Sequence, residues 1–149
     1  MSDHVAEIAW KRQTDGFAYD SYNRAHEWRF DGGVVVPGSA APGYRGEPER
    51  VDPEEAFVAA LSSCHMLTFL AIAAKKKLVV DAYEDRAVGR LDKNAAGKLA
   101  MTSVELNPKV TFAPGVEVDA ATLEKLHHDA HENCFIAQSV KTPVAVHSR

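Results

Sequence analysis

The chain has 149 residues, of which 46% are apolar and 26% are charged, and its formal net charge is −4. This length fits a single domain over residues 1–149, with a core that needs no disulfide or metal framework. The slight acidic excess excludes a general nucleic-acid binder, which carries a basic excess. Only two cysteines occur, which is typical of a reducing compartment, and residues 1–7 do not resemble a signal peptide. We therefore expect a cytoplasmic protein.

The first fifty residues predict a small sheet followed by a loop. Three runs of branched and aromatic residues, separated by turn residues, cover 5–11, 24–30 and 34–36. They predict an N-terminal antiparallel meander, with Trp10 and Trp28 in the core of the sheet. Residues 37–49 are rich in Pro, Gly, Ser and Ala, and a loop of this length is often one that lines a functional site.

A strong helix start follows this loop. Asp52 is the predicted N-cap, Pro53 occupies the first helical position, and Glu55 completes a capping box. The Ala- and Leu-rich sequence that follows predicts a helix reaching about residue 76.

Residues 56–74 of this helix contain no Asp, Glu, Lys or Arg. A run of this length would also fit a membrane span. However, the middle of the run is the polar sequence 62–65 (Ser-Ser-Cys-His), which is costly at the centre of a bilayer. We therefore predict a buried central helix and no membrane partner.

The second half of the chain predicts more strands and another helix. The strand-like runs are 78–80, 83–91, 99–112 and 143–146, with a turn at 94–97. They predict a second antiparallel meander and a closing strand, and residues 119–133 predict the second long helix. Strand runs around long helices, without regular βαβ alternation, indicate an α+β fold.

Cys64 lies in the middle of the first predicted helix and has two interpretations. Free cysteines are among the most buried residue types, so a packed core cysteine is one of them. The other is a reactive thiol. Helix polarity would not activate it three turns from the N-terminus, so reactivity would require a nearby cation such as an arginine.

The segment around the second cysteine also allows a metal site. His127, His131 and Cys134 are spaced i, i+4 and i+7, which places them on one helical face, and these residue types suit zinc. The HExxH order is absent and no fourth ligand lies nearby, so solvated histidines at a polar helix end explain the segment as well.

Two segments together resemble the OsmC/Ohr family, the osmotically induced and organic hydroperoxide resistance proteins. Residues 52–64 (Asp-Pro-Glu-Glu-Ala-Phe-Val-Ala-Ala-Leu-Ser-Ser-Cys) resemble the family's Pro-Glu helix start and reactive cysteine. Residues 130–134 (Ala-His-Glu-Asn-Cys) resemble the segment around its second cysteine. The order of meander, long helix, meander and helix matches over nearly the whole chain. The resemblance implies an OsmC-like α+β fold.

The resemblance also implies a thiol peroxidase that acts without haem, flavin or metal, so no cofactor is expected. Cys64 would be the peroxidatic residue, whose thiolate attacks the peroxide and becomes a sulfenic acid, and Cys134 would resolve it as a disulfide. By position, Arg24 matches the family's activating arginine, with Arg29 in reserve, and Glu54 matches the glutamate that positions it. Expected substrates are organic hydroperoxides, including those of fatty acids, with hydrogen peroxide poorer or comparable. The expected reductant is a dithiol, in this family often a lipoylated protein.

The position of Glu54 bears on the assembly. Glu54 lies ten residues before Cys64 on one predicted helix. The two are therefore about 15 Å apart along the axis, on different faces. Glu54 can thus only brace an arginine, or act on a partner chain's cysteine across an antiparallel helix pair. Such a pair would also bury the uncharged residues 56–74. The family's intertwined homodimer fits both points and is the assembly expected here.

Two positions depart from the family's pattern. Phe135 follows the second cysteine, where the organic-hydroperoxide branch usually has proline, and His65 follows the first, where an aromatic residue is common. These departures leave the subfamily and substrate open. We interpret His65 as a packed helix residue rather than a charged neighbour of the thiolate. The alternative functions are a small-molecule binding protein with packed cysteines and a metal-binding protein using the His/Cys face.

Overall fold

A computed structural model describes all 149 residues of the chain. They form eight strands and three α-helices. Two compact units can be distinguished, Met1–Ala56 and Phe57–Arg149, and each is described by itself. The expectation of a single domain over 1–149 stays a prediction.

The N-terminal unit contains a three-stranded antiparallel sheet, as predicted. Its strands are β1 (Ala6–Ala9), β2 (His26–Phe30) and β3 (Val35–Gly38), paired in sequence order. The loop predicted over 37–49 begins two residues later than expected, after Gly38 at the end of β3, and contains a short 3₁₀ turn at Pro42–Tyr44. Val51 then returns to form a parallel bridge with Gly38, which places the start of the next helix beside the end of β3.

Helix α1 (Pro53–Lys75) begins at the predicted capping box. The Asp52 carboxylate accepts the N–H of Glu55 at 2.7 Å, and the Glu55 carboxylate accepts the N–H of Asp52 at 3.2 Å. The helix ends where Lys77 adopts a positive φ of 59° and the N–H of Leu78 bonds to the carbonyl of Ala73. The prediction of this helix is confirmed to within one residue at its C-terminal end.

The C-terminal unit is organised by one long hairpin that divides into two sheets. Its strands are β4 (Val80–Asp85), β5 (Val88–Lys93), β6 (Leu99–Leu106) and β7 (Pro108–Phe112). The pairs Asp85–Pro108 and Val88–Glu105 belong to one continuous register, yet β4–β7 form a two-stranded sheet and β5–β6 form another. Strand β8 (Val144–Val146) adds to β6 in parallel.

The division of the hairpin corrects the prediction of two unbroken strands over 83–91 and 99–112. The Asp85 carboxylate accepts the backbone N–H of Asn107 at 2.7 Å, and the Asn107 amide donates to the carbonyl of Arg86 at 3.1 Å. These side-chain bonds replace the ladder bonds where both strands change sheet. Backbone groups satisfied in this way allow the hairpin to bend without leaving buried polar atoms unpaired.

Two further helices complete the C-terminal unit. Helix α2 (Ala120–Glu132) confirms the helix predicted over 119–133, and its N-cap is Asp119, whose carboxylate accepts the N–H of Thr122 at 2.7 Å. The short helix α3 (Phe135–Ser139) follows after a single turn and was not predicted. Cys134 lies at the junction of the two helices.

Helix α1 contributes to two apolar cores within this unit. One joins Phe69 and Ala73 of α1 to Leu126 and Ala130 of α2. The other joins Leu61 to β6 through Val104 and Leu106. Helix and strands approach closely there, because a Cβ on Gly89 would collide with Val58 of α1 and Met101 of β6.

Helix α1 is the one helix long and apolar enough to cross a membrane, a weak criterion that core helices also meet. Its fully buried residues follow a single i+4 stripe, namely Leu61, His65, Phe69 and Ala73. Only 22% of its most apolar 18-residue window is buried within the chain, and Leu67 remains 60% exposed. One face of the helix is therefore packed and the opposite apolar face is free.

Candidate active site

Helix α1 holds Cys64 beside its buried stripe. Cys64 is a free thiol and is half-buried, one position before the buried His65. Its carbonyl accepts the hydroxyl of Thr68 at 2.8 Å in addition to its place in the helix. The long capped helix thus fixes the backbone of Cys64 while the side chain lies at the margin of the core.

Cys134 is held at the α2–α3 junction. Its backbone N–H bonds to the carbonyl of His131, and its sulfur caps α3 by accepting the N–H of Ala137 at 3.5 Å. Cys134 is only 1% exposed and is also a free thiol. Helix capping by a cysteine requires an extended backbone at this residue, and its φ and ψ are −75° and 112°.

Although seventy positions separate the two thiols in sequence, the fold places Cys64 close enough to Cys134 to affect its pKa. Burial raises the pKa of the Cys134 thiol, and hydrogen bonding and charge interaction with Cys64 act in the same direction. The backbone N–H of Ala137 opposes these effects, since it stabilises the thiolate. Cys134 is therefore held as a neutral thiol next to the more accessible Cys64.

Arg24 is a buried cation in the N-terminal unit, 9% exposed. Its guanidinium donates to the carbonyls of Tyr22, at 2.5 Å, and Tyr19. The guanidinium carbon also lies 3.6 Å from the centroid of the Tyr22 ring. The face of an aromatic ring attracts a cation at this distance. Carbonyls and a ring stabilise the charge without neutralising it, so Arg24 can still interact with an anion.

The other two predicted residues of the N-terminal unit are placed differently. Arg29 is exposed and pairs with Glu27 at 2.7 Å. Glu54 is half-buried in the first turn of α1 and makes no salt bridge or hydrogen bond to Arg24 within the chain. Of the two candidate arginines, Arg24 is the buried one. Its role and that of Glu54 stay predictions.

A pocket of about 450 Å³ adjoins Arg24 within the N-terminal unit. Its aromatic wall includes Trp10, Phe17 and Tyr22, and neighbouring ring centroids are 5.3–6.3 Å apart. The expectation that Trp10 belongs to the sheet core is wrong. Trp10 follows β1, is 43% exposed and donates its indole N–H to the carbonyl of Asn23. The sequence did not predict this pocket, because the spacing of residues 10, 17 and 22 matches neither strand nor helix periodicity.

The histidines of α1 and α2 form a buried pair. His65 Nε2 and His127 Nδ1 are 3.1 Å apart. Burial, the largest cause, lowers the pKa of each ring to about 4, so both are neutral near pH 7. This agrees with the interpretation of His65 as a packed residue. His127 is only 3% exposed, so the alternative of solvated histidines is wrong for this residue.

The metal alternative finds no support in the geometry. Across the chain, no three His, Cys, Asp or Glu side chains are arranged to hold a metal ion. His127 directs one ring nitrogen to His65, and Cys134 directs its sulfur to Cys64 and Ala137. The prediction that one helical face holds His127, His131 and Cys134 is wrong, because α2 ends at Glu132 and Cys134 has an extended backbone.

The structure thus defines an α+β protein with two free thiols near each other, one on its central helix and one at the α2–α3 junction. The model of a family described as OsmC-like protein matches residues 46–149 of this chain. The chain belongs to the OsmC/Ohr family, and the resemblance stated from sequence is confirmed.

Solved structures place the chain among two kinds of relatives. An OsmC-like protein of unknown function from Vibrio cholerae is 50% identical, with 100% of both chains covered and a TM-score of 0.95. An organic hydroperoxide resistance protein from Elizabethkingia anophelis is 17% identical, covering 99% of this chain and 94% of its own, with a TM-score of 0.74. A third, the organic hydroperoxide resistance protein OhrB of Bacillus subtilis, is 18% identical, covering 97% and 98%, with a TM-score of 0.70. No match was found among curated proteins.

Proposed function

We propose that this protein is a cysteine-based thiol peroxidase that reduces organic hydroperoxides in the cytoplasm. The observation that carries the proposal is that two free thiols, Cys64 and Cys134, lie close enough for Cys64 to affect the pKa of Cys134. The distant relatives described as organic hydroperoxide resistance proteins support the same reaction class. Hydrogen peroxide is proposed as a poorer or comparable substrate.

The proposed cycle has three balanced steps. The Cys64 thiolate attacks the terminal peroxide oxygen, the O–O bond breaks, and the released alkoxide takes a proton to become the alcohol, leaving Cys64 as a sulfenic acid. The Cys134 thiol then attacks the Cys64 sulfur, forming the disulfide and releasing water. A dithiol reductant, such as a protein-bound lipoyl group, exchanges with this disulfide and becomes oxidised itself.

The environments of the two cysteines support this division of roles. A thiolate is the nucleophile in peroxide reduction, and Cys134 is held as a thiol by burial. The half-buried Cys64 is the more accessible of the two to a substrate. Cys134 therefore suits the second step, where its partner is an adjacent sulfur rather than a diffusing molecule.

Arg24 is proposed as the activating cation and Glu54 as the residue that positions it. A guanidinium has five N–H donors, and the carbonyls of Tyr19 and Tyr22 use two of them. The remaining donors can hold a thiolate and a peroxide oxygen, and they stabilise the charge that develops on the leaving oxygen. The aromatic pocket beside Arg24 supports a substrate with an apolar group over hydrogen peroxide alone.

The assembly is proposed to be a homodimer. Helix α1 is apolar around its whole circumference, but only the stripe from Leu61 to Ala73 is buried in one chain. Helices of this composition are buried on all sides in soluble proteins. A second copy of α1, packed on the free face, would complete this burial.

One observation favours a second candidate, a small-molecule binding protein. The aromatic pocket lies in a unit that contains no cysteine, so it can hold a ligand without any thiol chemistry. In that case Cys64 would react slowly with alkylating reagents at neutral pH, and Arg24→Ala would not change the rate.

Stopped-flow oxidation of the reduced protein by cumene hydroperoxide tests the proposal. Wild type should be oxidised rapidly, Cys64→Ser should not react, and Cys134→Ser should react but stop at a sulfenic acid that dimedone traps. Arg24→Ala should slow oxidation, and Arg29→Ala is the matched control that should not. Equal rates in wild type, Cys64→Ser and Arg24→Ala would contradict the peroxidase function.

A further inference from the structure

The buried histidine pair links the two segments that carry the cysteines. His65 directly follows Cys64 on α1, and His127 lies on α2 seven positions before Cys134, which follows the end of that helix. Their rings are nearly parallel, with an interplanar angle of 8° and centroids 5.4 Å apart. The hydrogen bond spans 62 positions of sequence, so it joins the two helices and not neighbours on one of them.

A single proton holds this pair together. In a neutral pair, one of the two facing nitrogens carries a hydrogen and the other accepts it. Three titratable groups surround the rings, His131 on α2 and Tyr83 and Asp85 on β4. The Asp85 carboxylate is engaged by the hydroxyl of Ser62 at 2.5 Å and by the N–H of Asn107.

A contribution to folding stability does not by itself explain the His65–His127 pair. The outer nitrogens, His65 Nδ1 and His127 Nε2, are buried and have no hydrogen-bond partner. Unpaired buried polar atoms are unfavourable, and apolar residues of similar volume would pack against Phe69 without this cost. A hydrogen bond is directional, whereas apolar packing is not. A hydrogen bond between two helices therefore restricts the rotation of each helix about its own axis.

The two thiols lie on the same two segments as the two histidines. On the second segment, His127 lies in α2 and Cys134 follows two residues after the end of this helix. On α1, Cys64 and His65 are adjacent residues. Fixing the histidine contact therefore fixes the direction from which α1 presents Cys64 to Cys134. Disulfides form only over a narrow range of sulfur approach, so a small rotation of either helix would matter.

We propose that the His65–His127 hydrogen bond positions the two cysteine-bearing segments so that the Cys64–Cys134 disulfide can close. His65 and His127 are positioning residues and take no part in the bond-making steps. The inference rests on the two-cysteine chemistry proposed above. It predicts that the pair controls disulfide closure and leaves attack of Cys64 on peroxide unchanged.

The test compares two polar substitutions of one histidine. Asparagine places its amide where His127 has Nδ1, so His127→Asn keeps a partner for His65. Glutamine places its amide where His127 has Nε2, so His127→Gln loses that partner. The disulfide equilibrium of each protein with reduced and oxidised glutathione is measured, because this exchange forms the same disulfide without peroxide.

The effective concentration of the two thiols should fall about tenfold in His127→Gln, the worth of one hydrogen bond, and should recover in His127→Asn. The exposed neighbour provides the control His128→Ala, which should match wild type. Leu123→Ala, at the other end of α2, should lower the free energy of unfolding without changing this equilibrium. The rate of Cys64 oxidation by cumene hydroperoxide should be unchanged in His127→Gln.

Two results would overturn the inference. One is an effective concentration in His127→Gln equal to that of wild type. The other is a loss in His127→Gln that His127→Asn and Leu123→Ala share. If His127→Gln does not fold, His65→Asn replaces it, since that change moves the amide away from the Nε2 position of His65. Failure of the peroxidase function appears separately, as absence of reaction with peroxide in a protein whose glutathione equilibrium still responds to His127→Gln.

Discussion

The two compact units of this chain carry opposite kinds of chemistry. Met1–Ala56 holds a buried cation, Arg24, beside an aromatic pocket, and contains no cysteine. Phe57–Arg149 holds both thiols and a neutral histidine pair, and no lysine or arginine acts on the Cys134 thiol. The buried cation of the N-terminal unit can attract an anion, whereas burial in the C-terminal unit keeps its Cys134 thiol and its histidine pair uncharged. In the proposed function, nucleophile and activating charge thus come from different parts of the chain and can be altered independently.

The largest expected effect concerns the histidine pair of the C-terminal unit. Burial lowers the pKa of His65 and His127 to about 4, whereas the unfolded chain titrates near 6.5. The unfolded state therefore binds protons first, and the free energy of unfolding falls as the pH decreases from about 6.5 to about 4. Above that range the contribution is fully present. A shift of this size corresponds to about 3 kcal/mol for one histidine, measurable by urea unfolding across this range.

Two variants isolate this effect from other titrations. His127→Asn removes one buried titrating group and should flatten the dependence on pH between about 4 and 6.5. His128→Ala removes an exposed histidine from the same helix and should leave it unchanged. The same slope in wild type and His127→Asn would mean that the pair does not govern acid stability.

The next largest effect concerns the cation of the N-terminal unit. Arg24→Ala should slow Cys64 oxidation by cumene hydroperoxide about 100-fold, the usual cost of removing one donor to a developing anion. Arg24→Lys retains the charge but not the planar fork, so its rate should fall between the two. Stopped-flow fluorescence or quenched alkylation measures these rates. A lysine variant as slow as the alanine variant would indicate that geometry, and not charge, is what Arg24 supplies.

A smaller effect is expected from the pocket wall. Phe17→Ala removes an aromatic ring from the pocket and should raise the KM for cumene hydroperoxide about tenfold, as expected for loss of an apolar contact with the substrate. The KM for hydrogen peroxide should not change, because that substrate has no apolar group. Tyr44→Ala, which removes an exposed aromatic of the same unit outside the pocket, is the control. Equal changes for both peroxides would show that the pocket does not select the substrate.

The smallest effect is expected where α1 begins. Asp52→Ala removes the N-cap and should lower the free energy of unfolding by about 1 kcal/mol, measured by urea unfolding at neutral pH. Asp52→Asn keeps an oxygen acceptor for the N–H of Glu55 and should retain most of the stability. Similar losses in both variants would assign the effect to the charge of Asp52 near the helix N-terminus.

The sequence predicted those features of the fold that depend on contacts between residues close together in the chain. The start of α1 was predictable because Asp52 and Glu55 bond to each other within a single turn. The break in the long hairpin was not, because it depends on Asp85 meeting Asn107, 22 positions away. Strand propensity is the same on both sides of such a break, so the sequence pattern contains no sign of it.

The candidate site follows the same rule at longer range. Spacing alone left Cys64 as either a core or a reactive residue, and only the family resemblance paired it with Cys134. The contact of His65 with His127 had no signal at all, since the spacing of His127, His131 and Cys134 is typical of a metal site as well as of a packed helix face. The sequence also did not predict the pocket wall, because its aromatic residues lie largely outside strands and helices and so follow no periodic pattern.

The position of Cys134 as the N-cap of α3 ties local helix order to sulfur chemistry. Its sulfur accepts the N–H of Ala137. In the proposed cycle this sulfur also becomes part of the disulfide, so one atom serves both the cap of α3 and the bond to Cys64. Phe135, in the first turn of α3, is 82% exposed. A reductant reaching the oxidised protein would meet this exposed aromatic side chain beside the bond that it has to open.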